Sequence, residues 1–184
     1  MDAPQTQNNF FVLTGAPGGG KTTLVCHLRG LGVRCVDEPA RAILADQRAR
    51  NGLGTPDHNK LLFTELLLSH SIENFSNSKQ FTGSIVFDRS VVDSIAYASL
   101  FELPTKQFEV AALKYRYNKT VFVLAPWEEI YATDDERKMS FEDSVVFHRL
   151  IISAYERLGY QLIEIPRGTV ESRSLFLSEK IAVI

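Results

Sequence analysis

Residues 14–23, which read TGAPGGGKTT, have the composition and spacing of a phosphate-binding loop. Gly15 is followed by four residues and then by Gly-Lys-Thr, which is the pattern G-x-x-x-x-G-K-[ST]. Glycines let successive backbone NH groups turn towards an anion, and the amino end of a following helix adds positive potential. We therefore predict that a nucleoside triphosphate binds here with Mg²⁺, with Lys21 reaching the β- and γ-phosphates and the Thr22 hydroxyl ligating the metal. The predicted nucleotide-binding residues of this loop are Gly15, Ala16, Pro17, Gly18, Gly19, Gly20, Lys21, Thr22 and Thr23.

Two carboxylates follow short apolar runs of the kind that form buried strands. Asp88 ends the run in SIVFDRS, where it would hold Mg²⁺ opposite Thr22 or, alternatively, only cap the next helix. Glu38, in VDEPARAIL, opens a helix in which Arg41 stands three residues later. Glu38 would bind or deprotonate an acceptor hydroxyl while Arg41 steadies the substrate, and the alternative is a local ion pair between the two. The sequence leaves open whether Glu38 or Asp88 is the base.

Two further arginines are candidates for contacting phosphate charge. Arg89 directly follows the aspartate of SIVFDRS and would reach an anionic group across the cleft, unless it is an ordinary surface arginine. Arg137 lies in the charged segment YATDDERKMS, residues 131–140. A mobile arginine that closes over the γ-phosphate would stabilise the charge that develops during transfer and exclude water. The alternative for this segment is a solvated cluster of charges.

Short apolar runs alternate with helical patterns along the whole chain. The predicted strands cover 10–13, 33–36, 84–87, 120–125 and 161–165. The predicted helices cover 21–29, 40–48, 58–75, 91–100, 105–117, 141–158 and 169–181. Because no two strands are joined by a hairpin turn, this alternation predicts an α/β fold whose parallel sheet is covered by helices on both faces. The carboxyl ends of such strands meet at one edge, where the loop, Glu38 and Asp88 would come together.

Length and composition favour a single domain over residues 1–184, with a flexible tail at 1–9. The net charge is −2 and the basic residues are scattered, which argues against binding to nucleic acid. No apolar run approaches the roughly 18 residues that span a bilayer, and the N-terminus does not read as a secretory signal. We therefore expect a cytoplasmic protein without a membrane segment. Cys26 and Cys35 lack the spacing of a metal site or a disulfide framework.

The segments GAPGGGKTTL, EPARAIL, FDRS, ERKMSF and YERLGYQLIEIP, in this order, resemble the AAA_28-type P-loop proteins, which are grouped with the kinase domain of nicotinamide riboside kinases. The resemblance covers nearly the whole chain. It implies a three-layer P-loop NTPase fold like that of nucleoside kinases, with five parallel strands in the order 2-3-1-4-5. It also implies a small hydroxyl-bearing acceptor, an arginine lid and an adenine contact; the matching residues are Glu38, Arg41 and Asp88 for the acceptor, Arg137 for the lid and Arg167 for adenine. The aromatic-rich segment typical of nicotinamide riboside kinases is replaced here by VDEP.

We therefore predict an enzyme, a Mg-ATP-dependent kinase that transfers the γ-phosphate to a small, nucleoside-like metabolite. Lys21 and Arg137 would stabilise the moving phosphoryl group, and Glu38 or Asp88 would orient the acceptor hydroxyl. The alternative is an ATPase or nucleotide-dependent switch that acts on a protein partner, with water as the acceptor. Because the chain contains no N-K-x-D motif for reading guanine, ATP is preferred to GTP as the predicted nucleotide.

Overall fold

Parallel strands alternate with helices in this computed structural model, which describes residues 3–131 and 139–183. The strands are β1 (Gln5–Thr6), β2 (Phe10–Thr14), β3 (Arg34–Val36), β4 (Ile85–Asp88), β5 (Tyr115–Arg116), β6 (Thr120–Val123) and β7 (Gln161–Glu164). The helices are α1 (Lys21–Gly30), α2 (Pro39–Ala49), α3 (Lys60–Ser78), α4 (Asp93–Leu100), α5 (Lys106–Lys114), α6 (Phe141–Arg157) and α7 (Val170–Val183). A 3-10 turn, Glu128–Ile130, follows β6.

Five of the strands form one parallel sheet in the order β3-β4-β2-β6-β7. The strand β2 is central, because it pairs with β4 on one side and with β6 on the other. Its residue Leu13 stands opposite Asp88, the last residue of β4. Since β2 runs directly into the phosphate-binding loop, Asp88 ends the strand next to that loop. The α/β class and the parallel sheet predicted from the sequence are confirmed.

Helices cover both faces of the sheet, which gives three layers. Alternate residues of β2 point to opposite faces: Phe10 and Val12 pack with residues of α3, α4, α5 and α6, whereas Phe11 and Leu13 pack with residues of α1 and α7. Burial on both faces explains why β2 reads as an uninterrupted apolar run. In the described part of the chain, no helix combines the length and apolarity that crossing a bilayer requires.

The structure differs from the prediction at the end of the helix predicted over 105–117. Helix α5 ends at Lys114, and the next two residues form β5. This strand pairs with β1, which lies within the segment predicted to be a flexible tail at 1–9. The Gln7 NH extends the pairing by donating to the Arg116 carbonyl over 2.9 Å. The pairing partner is remote in sequence, so local helical periodicity could not reveal it.

Candidate active site

A cavity of about 840 Å³ opens between the phosphate-binding loop and helices α2 and α4. Most of the residues predicted to form the site line it. They are Pro17, Gly18, Gly20, Lys21, Thr22, Thr23, Glu38, Arg41 and Arg89. The loop and the predicted acceptor residues therefore face one common space.

Glycines are needed in the loop because other parts of the chain approach its backbone closely. Gly15 has a φ of 131°, and a Cβ there would lie 2.1 Å from the carbonyl oxygen of Leu124. At Gly18, whose φ is 89°, a Cβ would lie 2.1 Å from the ring of Tyr131. The loop is thus packed against the segment that follows β6, and this packing defines its shape without a ligand.

Lys21 folds back over the loop from the start of α1. Its Nζ donates to the Gly15 carbonyl over 2.7 Å and to the Ala16 carbonyl over 2.9 Å. The residue is buried, and burial together with the charge of Arg89 lowers its pKa to about 8. An anion beside the amine would favour its charged form. The site is therefore prepared electrostatically for a phosphate group.

Asp88 is a buried carboxylate with unused hydrogen-bonding capacity. It is 6% exposed, and none of the described residues donates a hydrogen bond to its Oδ1. Burial, and after it the charge of Glu38, raises the pKa of Asp88 to about 7. A divalent cation would stabilise the ionised form, and the exposed Thr22 offers a hydroxyl oxygen as a second ligand. These donor groups fit Mg²⁺, although Asp88 stands outside the cavity lining formed by the described residues.

Arg89 is buried, so the alternative that it is an ordinary surface arginine is wrong. Its backbone has a φ of 70°, which is uncommon for a residue with a side chain. Its Nε donates to Glu38 Oε1, and its Nη1 donates to Asp93 Oδ1 over 3.3 Å. The ring centroids of Tyr97 and Phe147 lie 5.7 and 5.6 Å from its Cζ. Contacts on several sides thus hold this guanidinium at the cavity.

Glu38 faces the same cavity as an ionised carboxylate. Burial opposes ionisation, but the charges of Arg89 and Lys21 outweigh it and lower the pKa of Glu38. Its carboxylate forms an ion pair with Arg89, which is far away in sequence. The predicted alternative, a purely local pair with Arg41, therefore does not describe this carboxylate. Arg41 lines the cavity from the first turn of α2, and its charge also favours ionised Glu38. A carboxylate and two guanidinium groups therefore face the space beside the loop.

A buried hydrogen-bond network lies beside Arg89, and it could not be predicted from the sequence. Asp93, at the start of α4, accepts from Thr14 Oγ1 over 2.6 Å and from Tyr155 OH over 2.6 Å. The backbone NH of Ser90 also donates to it, over 2.8 Å. Because Thr14 ends β2, the network connects the strand before the loop to Arg89. The one local signal is an aspartate that opens a helix shortly after a strand end, in DRSVVD, which resembles a capping residue.

The other arginines predicted to contact the nucleotide have different outcomes. Arg137, the predicted lid residue, lies outside the described residues. Arg167 is described, but it is absent from the cavity lining that the described residues form; its Cζ lies 5.8 Å from the ring centroid of Trp127. Arg173, which sequence reasoning missed, lines the cavity and donates to the Gly19 carbonyl over 2.5 Å.

The part of the cavity away from the loop has apolar walls and a charged rim. The wall residues are Leu44, Phe63, Tyr97, Leu100 and Phe101, and the charged residues are Arg48, Asp57 and Lys60. The rings of Phe63 and Tyr97 meet edge to face, with 5.9 Å between their centroids. Apolar walls with a few polar groups are typical of sites for small metabolites. A planar molecule with polar substituents therefore suits this space.

The sequence matches the family model AAA_28, described as an AAA domain, over residues 10–173. This match includes the loop, both strand-end carboxylates and Arg173. No curated protein matches the sequence.

Solved structures with a similar fold include proteins named as kinases. NadR in complex with NR has a TM-score of 0.72 and 20% identity, covering 96% of this chain and 52% of NadR, so this chain spans about half the length of NadR. A deoxyadenosine kinase from M. mycoides with bound dCMP and dCDP has a TM-score of 0.70 and 12% identity, covering 95% of this chain and 100% of that kinase. Thymidylate kinase from Candida albicans has a TM-score of 0.64 and 14% identity, covering 96% and 92%. At these identities the likeness establishes a P-loop kinase-like fold.

Proposed function

The chain belongs to the AAA_28 family, and we propose that it is a Mg-ATP-dependent kinase that phosphorylates a hydroxyl group of a small, nucleoside-like acceptor. The observation that carries this proposal is that the phosphate-binding loop and the residues Glu38, Arg41 and Arg89 line the same cavity. A hydrolase needs room only for water beside the terminal phosphate. This cavity instead continues to the aromatic side chains of α3 and α4, which supports a planar acceptor. Residues 1–184 would act as one such domain.

In the proposed reaction, the acceptor oxygen attacks the γ-phosphorus, the bond to the β–γ bridging oxygen breaks, and ADP leaves. Backbone NH groups of the loop and the amino end of α1 would bind the phosphates. Lys21 would neutralise charge on the β- and γ-phosphates, and Arg41 would do so beside the acceptor. Arg137 remains the proposed arginine that closes over the transferring group.

Glu38 is the proposed base. It lines the cavity, and its lowered pKa keeps it ionised and able to accept the proton that leaves the acceptor hydroxyl. The ion pair with Arg89 restrains the carboxylate and so supports a fixed separation between acceptor and loop. Asp88 suits this role less well, because it stands outside the lining that the described residues form.

Thr22 and Asp88 are the proposed ligands of Mg²⁺. The buried Asp88 oxygen for which the described residues provide no donor supports this assignment, as does the exposed threonine at the start of α1. When bound, the ion supplies positive charge that neutralises the phosphate oxygens. Asp88 and Lys21 lie close enough for their charges to interact, so both would act at the phosphate end of the site.

Transfer of labelled phosphate tests the proposed function. The protein is incubated with γ-labelled ATP, Mg²⁺ and a panel of nucleosides, ribosides and nucleoside monophosphates. A labelled metabolite is expected with the wild-type protein and with the Lys119→Ala variant, in which an exposed lysine far from the site is removed. No labelled metabolite is expected with Lys21→Ala, because the charge on the β- and γ-phosphates is then uncompensated.

Release of free phosphate with no labelled metabolite from any member of the panel would contradict the kinase and favour an ATPase or switch. Calorimetry with Mg-ATP, run in parallel, separates the possible failures. Binding without transfer refutes the acceptor chemistry alone, whereas the absence of binding at millimolar ligand refutes the nucleotide site as well.

A further inference from the structure

Positive charge is concentrated on the cavity wall that residues 39–60 form, and the proposed reaction uses only part of it. Arg41, Arg48 and Lys60 line this wall, and Asp57 is the one carboxylate that the described residues of this segment add to it. Three cations therefore face one carboxylate, in a chain whose net charge is −2. A cleft lined mainly by one sign of charge attracts ligands of the opposite sign. This wall is thus suited to an anionic ligand.

Helix α2 carries a second cationic position away from the reacting end of the cavity. Glu38, Arg41 and Arg48 lie at helical spacing along the side of α2 that faces the cavity. With a rise of about 1.5 Å per residue, Arg48 lies about 10 Å beyond Arg41 along the helix axis. The Cα–Cβ bond of a helical residue tilts towards the amino end, so the side chain of Arg48 leaves α2 in the direction of Glu38. Arg41 is therefore placed beside the proposed base, and Arg48 at the far end of the same wall.

The loop between α2 and α3 brings Lys60 to this far end. The Gly54 NH donates to Gln47 Oε1 over 2.9 Å, which ties the loop back to the last turn of α2. Helix α3 then begins at Lys60, and the side chain of Asn59 caps it. The Lys60 Nζ lies 5.5 Å from the ring centroid of Phe101. The start of α3 therefore places an ammonium group beside the aromatic part of the cavity.

The aromatic part of the cavity connects the two ends. The ring centroids of Phe63, Tyr97 and Phe101 lie 5.9, 6.4 and 6.1 Å from one another. Arg89 approaches this cluster at Tyr97, with 5.7 Å from its Cζ to the ring centroid, whereas Lys60 approaches it at Phe101. A planar ring packed on the cluster, with its hydroxyl-bearing side at the proposed base, would extend towards Lys60. An anionic substituent carried by the ring itself is a carboxylate, whereas the phosphate ester of a nucleoside is carried by its sugar.

We propose that Arg48 and Lys60 bind a carboxylate on the planar ring of the acceptor. The substrate class is then a hydroxyl-bearing ring compound that is anionic at the end remote from the reacting hydroxyl, and not an uncharged nucleoside. This inference rests on the proposed function in taking the acceptor hydroxyl to lie at Glu38. It adds the charge of the acceptor and the position of that charge.

Matched acceptors that differ only in charge test the inference. Uridine and pyridine ribosides are each prepared with one ring substituent, either as the carboxylate or as the carboxamide. Transfer of labelled phosphate gives kcat/KM, and calorimetry with a non-hydrolysable ATP analogue gives binding without reaction. Single exposed ion pairs are weak, so we expect the two cations together to favour the carboxylate member of at least one pair by about 10-fold.

Variants assign this preference to the two cations. Arg48→Gln and Lys60→Gln are each expected to lower the preference about 3-fold, and the double variant is expected to abolish it. The change should lie in KM and not in kcat, because a contact remote from the reacting oxygen acts equally on the bound substrate and the transition state. Arg48→Lys and Lys60→Arg keep the charge and should keep most of the preference. Arg50→Gln is the matched control, because Arg50 pairs with Asp46 over 2.8 Å and lies outside the described cavity lining.

Equal binding and equal kcat/KM within both pairs would overturn the inference. A loss in the double variant that is as large for the carboxamides, or for Mg-ATP, would also overturn it, because the cations would then support the fold or attract the phosphate donor. Preferred transfer to nucleoside monophosphates would do the same, since the anionic group would then lie at the reacting end.

The measurements also distinguish this inference from the proposed function. If a carboxylate binds more tightly than its carboxamide but no acceptor is phosphorylated, the kinase fails and the carboxylate subsite stands. If neither pair binds but another metabolite is phosphorylated, the kinase stands and the inference fails. The absence of both binding and transfer for every acceptor would refute both.

Discussion

Asp88 and Asp93 lie on either side of Arg89 and are both buried, but their hydrogen-bonding environments are opposite. Asp93 accepts from the side chains of Thr14, Arg89 and Tyr155 and from a backbone NH. Asp88 Oδ1 has no donor among the residues that the structure describes, and burial raises its pKa to about 7. Two aspartates five positions apart therefore belong to two different regions of the site.

This contrast identifies which of the two carboxylates the protein itself supplies with hydrogen-bond donors. A buried carboxylate surrounded by donors stabilises the structure around it, and here that structure includes Arg89 and the strand before the loop. A buried carboxylate that lacks donors is unfavourable by itself and is best explained by a ligand that completes it. Changes at Asp93 should therefore affect folding first, and changes at Asp88 should affect the reaction first.

The largest expected effect is the loss of stability in Asp93→Asn. The amide brings an NH₂ group to a site filled with donors and removes the charge that balances Arg89. We expect the free energy of unfolding in urea to fall by about 4 kcal/mol, as for other broken buried ion pairs. Asp37→Asn, which removes an exposed partner of Arg29, should cost less than about 1 kcal/mol. If the two variants were equally stable, the hydrogen-bond network around Asp93 would not stabilise the fold.

The next largest effect is the loss of activity in Asp88→Asn and Lys21→Ala. Each should lower kcat/KM by more than about 100-fold in the phosphate-transfer assay, which corresponds to about 2.7 kcal/mol of transition-state stabilisation. The aspartate variant would lose the proposed metal ligand, and the lysine variant would lose the positive charge that neutralises the terminal phosphates. Activity within a few-fold of wild type would remove the residue concerned from the mechanism.

The parts of this site that can be predicted from sequence are those set by local chemistry. The loop is recognisable because its glycines, lysine and threonine lie within ten residues of one another, and Glu38 and Asp88 are recognisable because they follow apolar strands. Asp93 and Arg173 could not be recognised in that way. Their roles depend on Thr14 and Gly19, which are remote in sequence and approach only when the helices pack.

The same distinction between local and remote contacts explains which parts of the fold could be predicted from the sequence. The apolar run of β2 and the breaks around the helices are local signals, so the element types were predictable. The segment Tyr115–Arg116 continues a helical pattern, yet it forms a strand because Gln5–Thr6 supplies its pairing partner. Non-local pairing of this kind has no signature within a short window of sequence.

A smaller effect of opposite sign is expected for the stability of Asp88→Asn without metal or nucleotide. The pKa of Asp88 is raised to about 7 in the folded protein, from its ordinary value of 3.8. Between about pH 4 and pH 7 the folded state therefore holds a proton that the unfolded state has lost, so the free energy of unfolding falls as the pH rises through this range. The variant lacks this dependence and should be more stable than wild type above pH 7 by on the order of 2 kcal/mol, since the buried amide keeps part of the desolvation cost.

Urea unfolding in EDTA at pH 4 and pH 8 measures this difference. The gain in the variant should be present at pH 8 and nearly absent at pH 4, where Asp88 is protonated in the folded state and about half protonated in the unfolded state. A variant that is less stable than wild type at both pH values would mean that Asp88 is already satisfied in the folded protein, and the contrast with Asp93 would be lost.

The smallest expected effect is that of Tyr155→Phe, which tests whether the several hydrogen-bond donors to Asp93 are redundant. The Tyr155 hydroxyl contacts Asp93 Oδ2 over 2.6 Å and Ser90 Oγ over 2.7 Å. Its removal leaves Asp93 with its other donors, so urea unfolding should show a loss of only about 1 kcal/mol, the net value of a typical hydrogen bond. Tyr160→Phe is the matched control, because the one hydrogen bond that its hydroxyl makes with the described residues is a long one of 3.4 Å, accepted from the Tyr117 NH. A loss as large as that of Asp93→Asn would show that one donor, and not several together, keeps this carboxylate buried, and Asp93 would then be no better supplied with donors than Asp88.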